Sequence, residues 1–191
     1  MKVLGVNGSP RKGGNTEILI RKAFEPLEAA GIRTEFVQIG GRPVRGCTAC
    51  GKCMEMKNRA CVITNDPVNE IIQKMSEADG MILGTPTYFA DVTAEMKGLI
   101  DRAGFVAIAN GRMYKHKVGA AVVAVRRGGA THAFDTINHF FQINQMFLVG
   151  STYWNMAYGL NIGEVRHDGE GMANMTDLGE SMAFLLEKLN G

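Results

Sequence analysis

The stretch GVNGSPRKGGNTEIL, residues 5 to 19, joins a short apolar run to a polar, glycine-rich loop and then to a helical pattern. Residues 2 to 7 predict a buried strand, and residues 14 to 30 predict a helix with one apolar face. Pro26 is expected to kink or shorten that helix. A strand, a loop and a helix in this order are typical of the first unit of a parallel α/β sheet.

The same alternation of apolar runs and helical periods continues along the chain. Further strands are predicted at 33–39, 80–86, 117–128 and within 146–154, and further helices at about 66–78, 91–104, 130–145 and 174–189. Five apolar strands separated by helices indicate an α/β fold, in which helices cover both faces of a parallel sheet. No linker divides the sequence, so we expect a single domain over residues 1–191 with an irregular insertion at about 40–65.

Composition excludes several classes of protein. A net charge of +2 is too small to indicate a nucleic-acid partner. The first residues, MKVLGVNG, lack the long apolar region of a signal peptide, and no apolar run approaches the length that spans a bilayer. We therefore expect a soluble, cytoplasmic protein, in which thiols stay reduced and clustered cysteines indicate metal or redox chemistry.

The loop after the first strand lies where α/β sheets bind phosphate, because the next helix presents free N–H groups and the positive end of its dipole. The loop matches neither the Walker pattern nor the dinucleotide G-x-G-x-x-G pattern. Its short polar side chains and cations are Ser9, Arg11, Lys12, Asn15 and Thr16. This set favours a phosphate monoester held without magnesium, and the alternative is a capped glycine turn with exposed charges.

Three segments carry a resemblance to a known family. GSPRKGGNT at 8–16, ADGMILGTPTYFADVTAEMKGLIDR at 78–102, and RRGG at 126–129 with its following VGSTYW strand resemble the NAD(P)H-dependent FMN reductases. The resemblance spans about residues 2–154. It implies a flavodoxin-like three-layer sandwich with strand order 2-1-3-4-5, in which the binding crevice lies at the carboxyl ends of strands one and three.

The resemblance also implies where FMN binds. Ser9, Arg11, Asn15 and Thr16 would hold the phosphate, Pro86, Thr87, Tyr88 and Phe89 would lie along the isoalloxazine, and Arg127, Gly128 and Gly129 would close the other side. Tyr88 and Phe89 have a simpler alternative, which is core packing or an oligomer contact. Asp101 and Arg102 are expected to be structural. The flavin would take a hydride from NAD(P)H, so no side chain is expected to act as a catalytic acid or base.

All four cysteines lie between residues 46 and 61, in the pattern C-x2-C-x2-C-x7-C. They are Cys47, Cys50, Cys53 and Cys61. The spacing differs from zinc ribbons, and the expected compartment disfavours disulfides. The first three match [4Fe–4S] ligation in bacterial ferredoxins, whereas the fourth follows a longer gap. The cluster, zinc, disulfides and free thiols remain alternatives.

The cysteine motif resembles that of the iron–sulfur flavoproteins, a branch of the same family, which implies a [4Fe–4S] cluster held by the four thiolates. We expect an FMN-dependent oxidoreductase that passes electrons from NAD(P)H to a flavin, quinone or protein acceptor. Two alternatives are an electron carrier that exchanges electrons with ferredoxin-like partners without NAD(P)H activity, and a cysteine redox sensor. The family also implies a homodimer or a dimer-based tetramer.

Overall fold

A parallel sheet runs through the middle of the computed structural model, which describes all residues 1–191. Its strands are β1 Lys2–Asn7, β2 Arg33–Gln38, β3 Gly80–Pro86, β4 Val118–Val125, β5 Phe147–Leu148 and β6 Met156–Tyr158. The helices are α1 Asn15–Ala29, α2 Lys52–Met56, α3 Val68–Glu77, α4 Ala94–Ala109, α5 Ala130–Ile143 and α6 Gly169–Asn190, with a 3₁₀ turn at Glu164–His167. Helix α1 continues through Pro26 to Ala29, so the expected shortening at Pro26 is wrong.

The strands lie in the order β2-β1-β3-β4-β5, which confirms the predicted order. The predicted fifth strand differs, because β5 and β6 both pair with β4 along the same edge. Val149 and Asn155 still form backbone hydrogen bonds with β4, and residues 150–154 leave the sheet between them, where the Ser151 hydroxyl contacts the Asn155 side chain at 2.8 Å. Only Phe147 and Leu148 of the predicted run therefore form a strand, and β6 lies beyond it, in a segment for which the sequence predicts no structure.

Two apolar cores lie on opposite faces of the sheet. Residues such as Leu83, Leu99 and Phe140 form the core beneath α3, α4 and α5. Ile20, Ile82 and others form the second core beneath α1 and α6. Strand β4 is buried along its whole length, as expected for a central parallel strand covered by helices on both faces.

The insertion between β2 and α3 lies across helix α4. Its only regular element is α2, and the Val44 side chain packs against Gly98 of α4, where a Cβ would come within 2.8 Å of it. The buried Arg102 side chain of α4 donates hydrogen bonds to the carbonyl oxygens of Arg45 (3.0 Å) and Ile63 (2.8 Å), near the two ends of the insertion. Helix α4 therefore holds the cysteine-bearing segment in place.

None of the helices combines the length and the apolar character that a membrane crossing requires.

Candidate functional site

A pocket of 90 Å³ opens at the carboxyl ends of the strands. Its lining residues are Ser9, Arg11, Asn15 and Thr16 after β1, Pro86, Thr87 and Tyr88 at the end of β3, Ala124 and Arg126 at the end of β4, and Gly159 and Leu160 after β6. The first two groups are residues that the resemblance placed at the flavin. The structure thus brings the phosphate-loop residues and the Pro–Thr–Tyr turn into one pocket.

Buried side-chain amides fix the backbone of the first loop. Asn7 is fully buried, and its Oδ1 accepts a hydrogen bond from the Ser9 N–H at 2.9 Å. Its Nδ2 donates to Gln38 Oε1 at 2.7 Å, and Gln38 in turn contacts the Ser9 carbonyl. The backbone of Gly40 lies so close to Gly8 and Ser9 that a Cβ would not fit. The start of the loop is therefore held from the β2 side.

Thr93 joins the first loop to the turn after β3. Its hydroxyl donates to the Gly8 carbonyl at 2.9 Å and accepts from the Met96 N–H at 3.3 Å, which caps α4. Its own N–H donates to Thr85 Oγ1 at 3.2 Å. Because one buried threonine contacts both segments, the two sides of the pocket are held in a fixed relation.

Two of the predicted phosphate ligands hold a loop over the pocket. The Asn15 amide donates to the Asn161 carbonyl at 2.9 Å and accepts from the Gly163 N–H at 2.8 Å. Arg11 Nη1 donates to the Leu160 carbonyl at 2.7 Å. The groups left for an anion are the N–H groups of the first turn of α1 and the hydroxyls of the buried Ser9 and Thr16.

The turn after β3 is strained at its tip. The N–H of Tyr88 donates to the Asp91 carbonyl at 2.8 Å and the N–H of Asp91 donates back at 3.0 Å, which closes a two-residue turn. Phe89 (φ 48°) and Ala90 (φ 64°) both adopt the left-handed conformation, which costs roughly 1–2 kcal/mol for each non-glycine residue. Thr87 donates its N–H to the Ala124 carbonyl. The N–H groups of Thr87 and Tyr88, two of the residues expected along the isoalloxazine, thus bond within the protein.

The structure separates the other predicted flavin residues from the pocket. Phe89 is fully exposed at the tip of the turn, and Arg127 and Gly128 are exposed beyond the pocket. Gly129 (φ 88°) packs behind the turn, where an added Cβ would lie 2.9 Å from Ala90 and 3.3 Å from Thr87. Arg126 takes the place at the pocket that we expected for Arg127.

The sequence does not predict Ala124, Gly159 and Leu160 at this pocket, and it marks Arg126 only through the RRGG motif. The segment 155–173 shows no period, and its polar, glycine-rich composition is the only signal that it forms a functional loop. The contacts from Arg11 and Asn15 to this loop join residues nearly 150 positions apart, which no local pattern can reveal.

The four cysteines line a second cavity of 140 Å³. Cys47 and Cys50 are exposed, Cys53 and Cys61 are half-buried, and all four are free thiols. Met54, Val62, Ile63, Phe105 and Val106 are among the apolar side chains of its walls. No group of three or more His, Cys, Asp or Glu side chains is placed as the ligands of a single metal ion are.

Backbone N–H groups turn toward the sulfurs. Ala49 (φ 52°) and Gly51 (φ 71°) adopt left-handed conformations, and the Ala49 N–H donates to Cys47 Sγ at 3.4 Å. A backbone hydrogen bond from Lys52, with a smaller contribution from the Thr48 hydroxyl, lowers the pKa of the Cys50 thiol despite some desolvation. Alternating backbone conformations of this kind form concave sites for anionic groups, including thiolates and iron–sulfur clusters.

The pKa of the Cys53 thiol is raised, in contrast to that of Cys50, by burial and by the neighbouring thiols. Desolvation is the largest cause of the raised pKa of the Cys53 thiol, and the nearby Cys61 and Cys47 thiols raise it further. Several thiolates close together repel one another unless a cation or a cluster stands between them. The donor set fits a group that binds several thiolates at once.

Arg102 is the buried cation at this cavity. It is 1% exposed and forms an ion pair with Asp66, whose side chain is also buried. Arg102 was expected to be structural, and its anchoring contacts agree with that expectation. Asp101, its neighbour in sequence, is instead paired with Lys97 on the helix surface.

A family model and two curated relatives match this chain. The model described as NADPH-dependent FMN reductase matches residues 1–161. A protein named iron-sulfur flavoprotein from Methanocaldococcus jannaschii is 38% identical over 194 residues, covering 98% of this chain and 98% of that protein. Another iron-sulfur flavoprotein, from Methanosarcina thermophila, is 34% identical over 189 residues, covering 98% of this chain and 96% of that protein.

Similarity to a solved structure agrees with the fold. A flavodoxin from the domain Archaea superposes with a TM-score of 0.63 at 14% identity, covering 98% of this chain and 99% of that one. At this identity the likeness concerns the fold alone, and with the strand order it confirms the predicted flavodoxin-like architecture. From the match over residues 1–161 and the full-length relatives, the chain belongs to the NADPH-dependent FMN reductase family, in the branch of the iron–sulfur flavoproteins.

Proposed function

We propose that this protein is an FMN-dependent oxidoreductase that takes electrons from NAD(P)H and passes them through a [4Fe–4S] cluster to a flavin, quinone or protein acceptor. The observation that carries the proposal is the pairing of two sites in one chain, an anion pocket at the carboxyl ends of the strands and a cavity lined by four thiols. The cysteine segment begins beside the first loop, where the Gly41 N–H donates to Glu95 Oε1 on α4 at 2.9 Å.

The residues of the pocket suit a phosphorylated, planar cofactor. Ser9, Thr16 and the first turn of α1 would hold the FMN phosphate, while Arg11 and Asn15 hold the covering loop. Tyr88 is half-exposed at the pocket wall, so its ring is available to pack along the isoalloxazine. FMN would supply hydride and single-electron chemistry, and the protein supplies position, shape and charge.

The four thiols suit a cluster ligand set. Cys47, Cys50, Cys53 and Cys61 would hold the cluster as thiolates, with backbone N–H groups directed at sulfur as at Ala49. The cluster would let an electron pair delivered to FMN leave as single electrons. The exposure of Cys47 and Cys50 leaves that side of the cavity accessible to an electron acceptor.

A polar groove beside the flavin pocket supports the use of NAD(P)H. It is 520 Å³, it is open to solvent, and it shares Arg126, Gly159 and Leu160 with the pocket. Tyr158, Glu164, His167 and Asp168 form the rest of its lining. Arg126 therefore provides a cation between the two spaces, where it can contact a phosphate of the dinucleotide.

The electron-carrier alternative draws support from the charge of the insertion. Arg42, Arg45, Lys57 and Arg59 are exposed there, and basic surfaces attract acidic partner proteins such as ferredoxins. The groove between α4 and α5 supports assembly as a homodimer, because Phe105 is 49% exposed and Ile143 is 61% exposed. Sedimentation of the purified protein at several concentrations tests that assembly.

One experiment separates the enzyme from the electron carrier. Protein purified without oxygen and loaded with FMN is mixed with NADH or NADPH, with excess FMN or a quinone as acceptor, and absorbance at 340 nm is followed. Oxidation of the nucleotide that depends on the protein supports the proposal. Protein that holds FMN and iron, oxidises neither nucleotide and is reduced by a ferredoxin would refute the proposed enzyme activity and favour the electron-carrier alternative.

A further inference from the structure

Arg102 has one hydrogen-bond donor that the protein does not use. Its Nη1 and Nη2 groups contact Asp66 and the carbonyl oxygens of Arg45 and Ile63. Its Nε is buried and has no hydrogen-bond partner. A buried donor without a partner costs about 1–3 kcal/mol, so native proteins rarely leave one unless another group meets it.

The free donor belongs to a side chain that lines the cysteine cavity. Arg102 and Cys61 are both among the lining residues. Burial is the largest influence on the pKa of Arg102 and lowers it, but Asp66 and then the Cys61 thiol outweigh burial and raise the pKa overall. The guanidinium is therefore within electrostatic range of Cys61 while its Nε–H is unpaired. The cations of the insertion itself, including Lys57, are exposed to solvent, which screens their charges.

We propose that Arg102 is a positioning residue that sets the reduction potential of the cluster, by placing a permanent positive charge and a free Nε–H beside the sulfur ligand Cys61. This inference rests on the proposed function, because it requires a cluster in the cavity. It assigns to this chain's helix α4 a role in electron transfer beyond holding the insertion.

The effect has a definite sign. Reduction of the cluster adds one electron, which comes from reduced FMN, and no bond to a ligand forms or breaks. The added negative charge is stabilised by a nearby cation and by hydrogen bonds to sulfur, both of which raise the potential. Arginine keeps its charge at every relevant pH, so the effect requires no proton transfer.

The ion pair with Asp66 offers a matched test. The two side chains support the same contacts between α4 and the insertion, so loss of either one should lower the melting temperature. Arg102 and Asp66 carry opposite charges, so removing one charge or the other should shift the reduction potential of the cluster in opposite directions. Arg102→Gln should lower the potential, whereas Asp66→Asn leaves the cation uncompensated and should raise it.

The experiment compares wild type, Arg102→Gln, Asp66→Asn and the exposed control Lys57→Gln, all purified without oxygen. Iron and sulfide are measured first, then the midpoint potential by dye-mediated titration with electron paramagnetic resonance, and melting temperature by circular dichroism. We expect Arg102→Gln to lower the equilibrium constant for reduction about tenfold, which is a shift of about 59 mV for one electron. Asp66→Asn should shift the potential upward, and Lys57→Gln should shift it much less than Arg102→Gln.

Each outcome decides the inference. Shifts of opposite sign support it, while a wild-type potential in Arg102→Gln, or equal shifts in Arg102→Gln and Lys57→Gln, would overturn it and leave the proposed function intact. If Arg102→Gln fails to fold or to hold iron, Asp66→Asn decides, because an unchanged or lowered potential there overturns the inference. A wild-type protein without iron and sulfide overturns both the inference and the cluster on which it rests.

Discussion

Replacing Gly159 with alanine should weaken FMN binding, although no pattern in the sequence places Gly159 at the flavin. An added Cβ would lie 2.7 Å from the Val165 nitrogen and 2.9 Å from Asn15 Nδ2. Neither atom can retreat freely, because one is backbone and the other belongs to a buried amide bonded to the Asn161 carbonyl. The covering loop must therefore move away from Asn15 by several tenths of an ångström.

The expected magnitude follows from the contacts that the movement disturbs. Overpacking costs about 1–3 kcal/mol. Weakening the Asn15 bond to the loop costs about 0.5–1.5 kcal/mol more. If half of this cost appears only with FMN bound, its affinity falls about three- to fortyfold, since 1.4 kcal/mol corresponds to a factor of ten.

The assay titrates FMN-free protein with FMN and follows the quenching of flavin fluorescence, with the melting temperature measured in parallel. Gly128→Ala is the matched control, because an added Cβ there meets nothing within 4 Å. The family resemblance places Gly128 at the flavin, whereas the structure places it outside the pocket. Wild-type affinity in Gly159→Ala together with weakened binding in Gly128→Ala would show that Gly128, not Gly159, lies at the flavin.

Three further predictions concern stability. Asn15→Ala removes both amide contacts with the loop, at the Asn161 carbonyl and the Gly163 N–H, and should lower the free energy of unfolding by about 1–3 kcal/mol; an unchanged urea midpoint would contradict it. Ala90→Gly relieves a left-handed conformation and should raise the free energy of unfolding by about 1 kcal/mol, measured in the same titration, whereas a decrease would count against the turn geometry. Burial raises the pKa of Asp66, but hydrogen bonds, chiefly from Arg102, outweigh it and lower the pKa overall. The stability that Asp66 contributes is thus complete above its unfolded pKa of about 4 and disappears as pH falls through the folded value; melting curves from pH 2 to 6 should fall less steeply below pH 4 in Asp66→Asn, and parallel curves would exclude this linkage.

The central strands and the position of the first loop could be predicted because both depend on local signals, whereas the order of the strands was an implication of the family resemblance. The apolar runs of β1, β3 and β4 are continuous. A glycine-rich loop between a strand and a helix of a parallel sheet commonly binds phosphate. The fifth strand was only partly predictable. Its apolar run suggests one strand over 146–154, but the strand ends at Leu148, and the polar residues that follow bond to one another and to Asp177 of α6.

The rest of the site depends on contacts between distant residues. Asp66 and Arg102 meet across 36 positions, and nothing near either residue in sequence marks the pair. The exposed position of Phe89 follows from a two-residue turn with left-handed conformations, which sequence rules assign to glycine and asparagine. Helix α4 joins the two sites, since its cap Thr93 bonds to the first loop and Arg102 holds the cysteine segment.

The proposed function requires one chain to hold both FMN and a [4Fe–4S] cluster. The most direct measurement is the iron, acid-labile sulfide and FMN content of protein purified without oxygen, together with its visible spectrum. We expect about four iron and four sulfide atoms per chain with about one FMN, and flavin bands over a broad absorption that dithionite bleaches. Protein that binds FMN stoichiometrically but holds no iron, with four titratable thiols at Cys47, Cys50, Cys53 and Cys61, would contradict it.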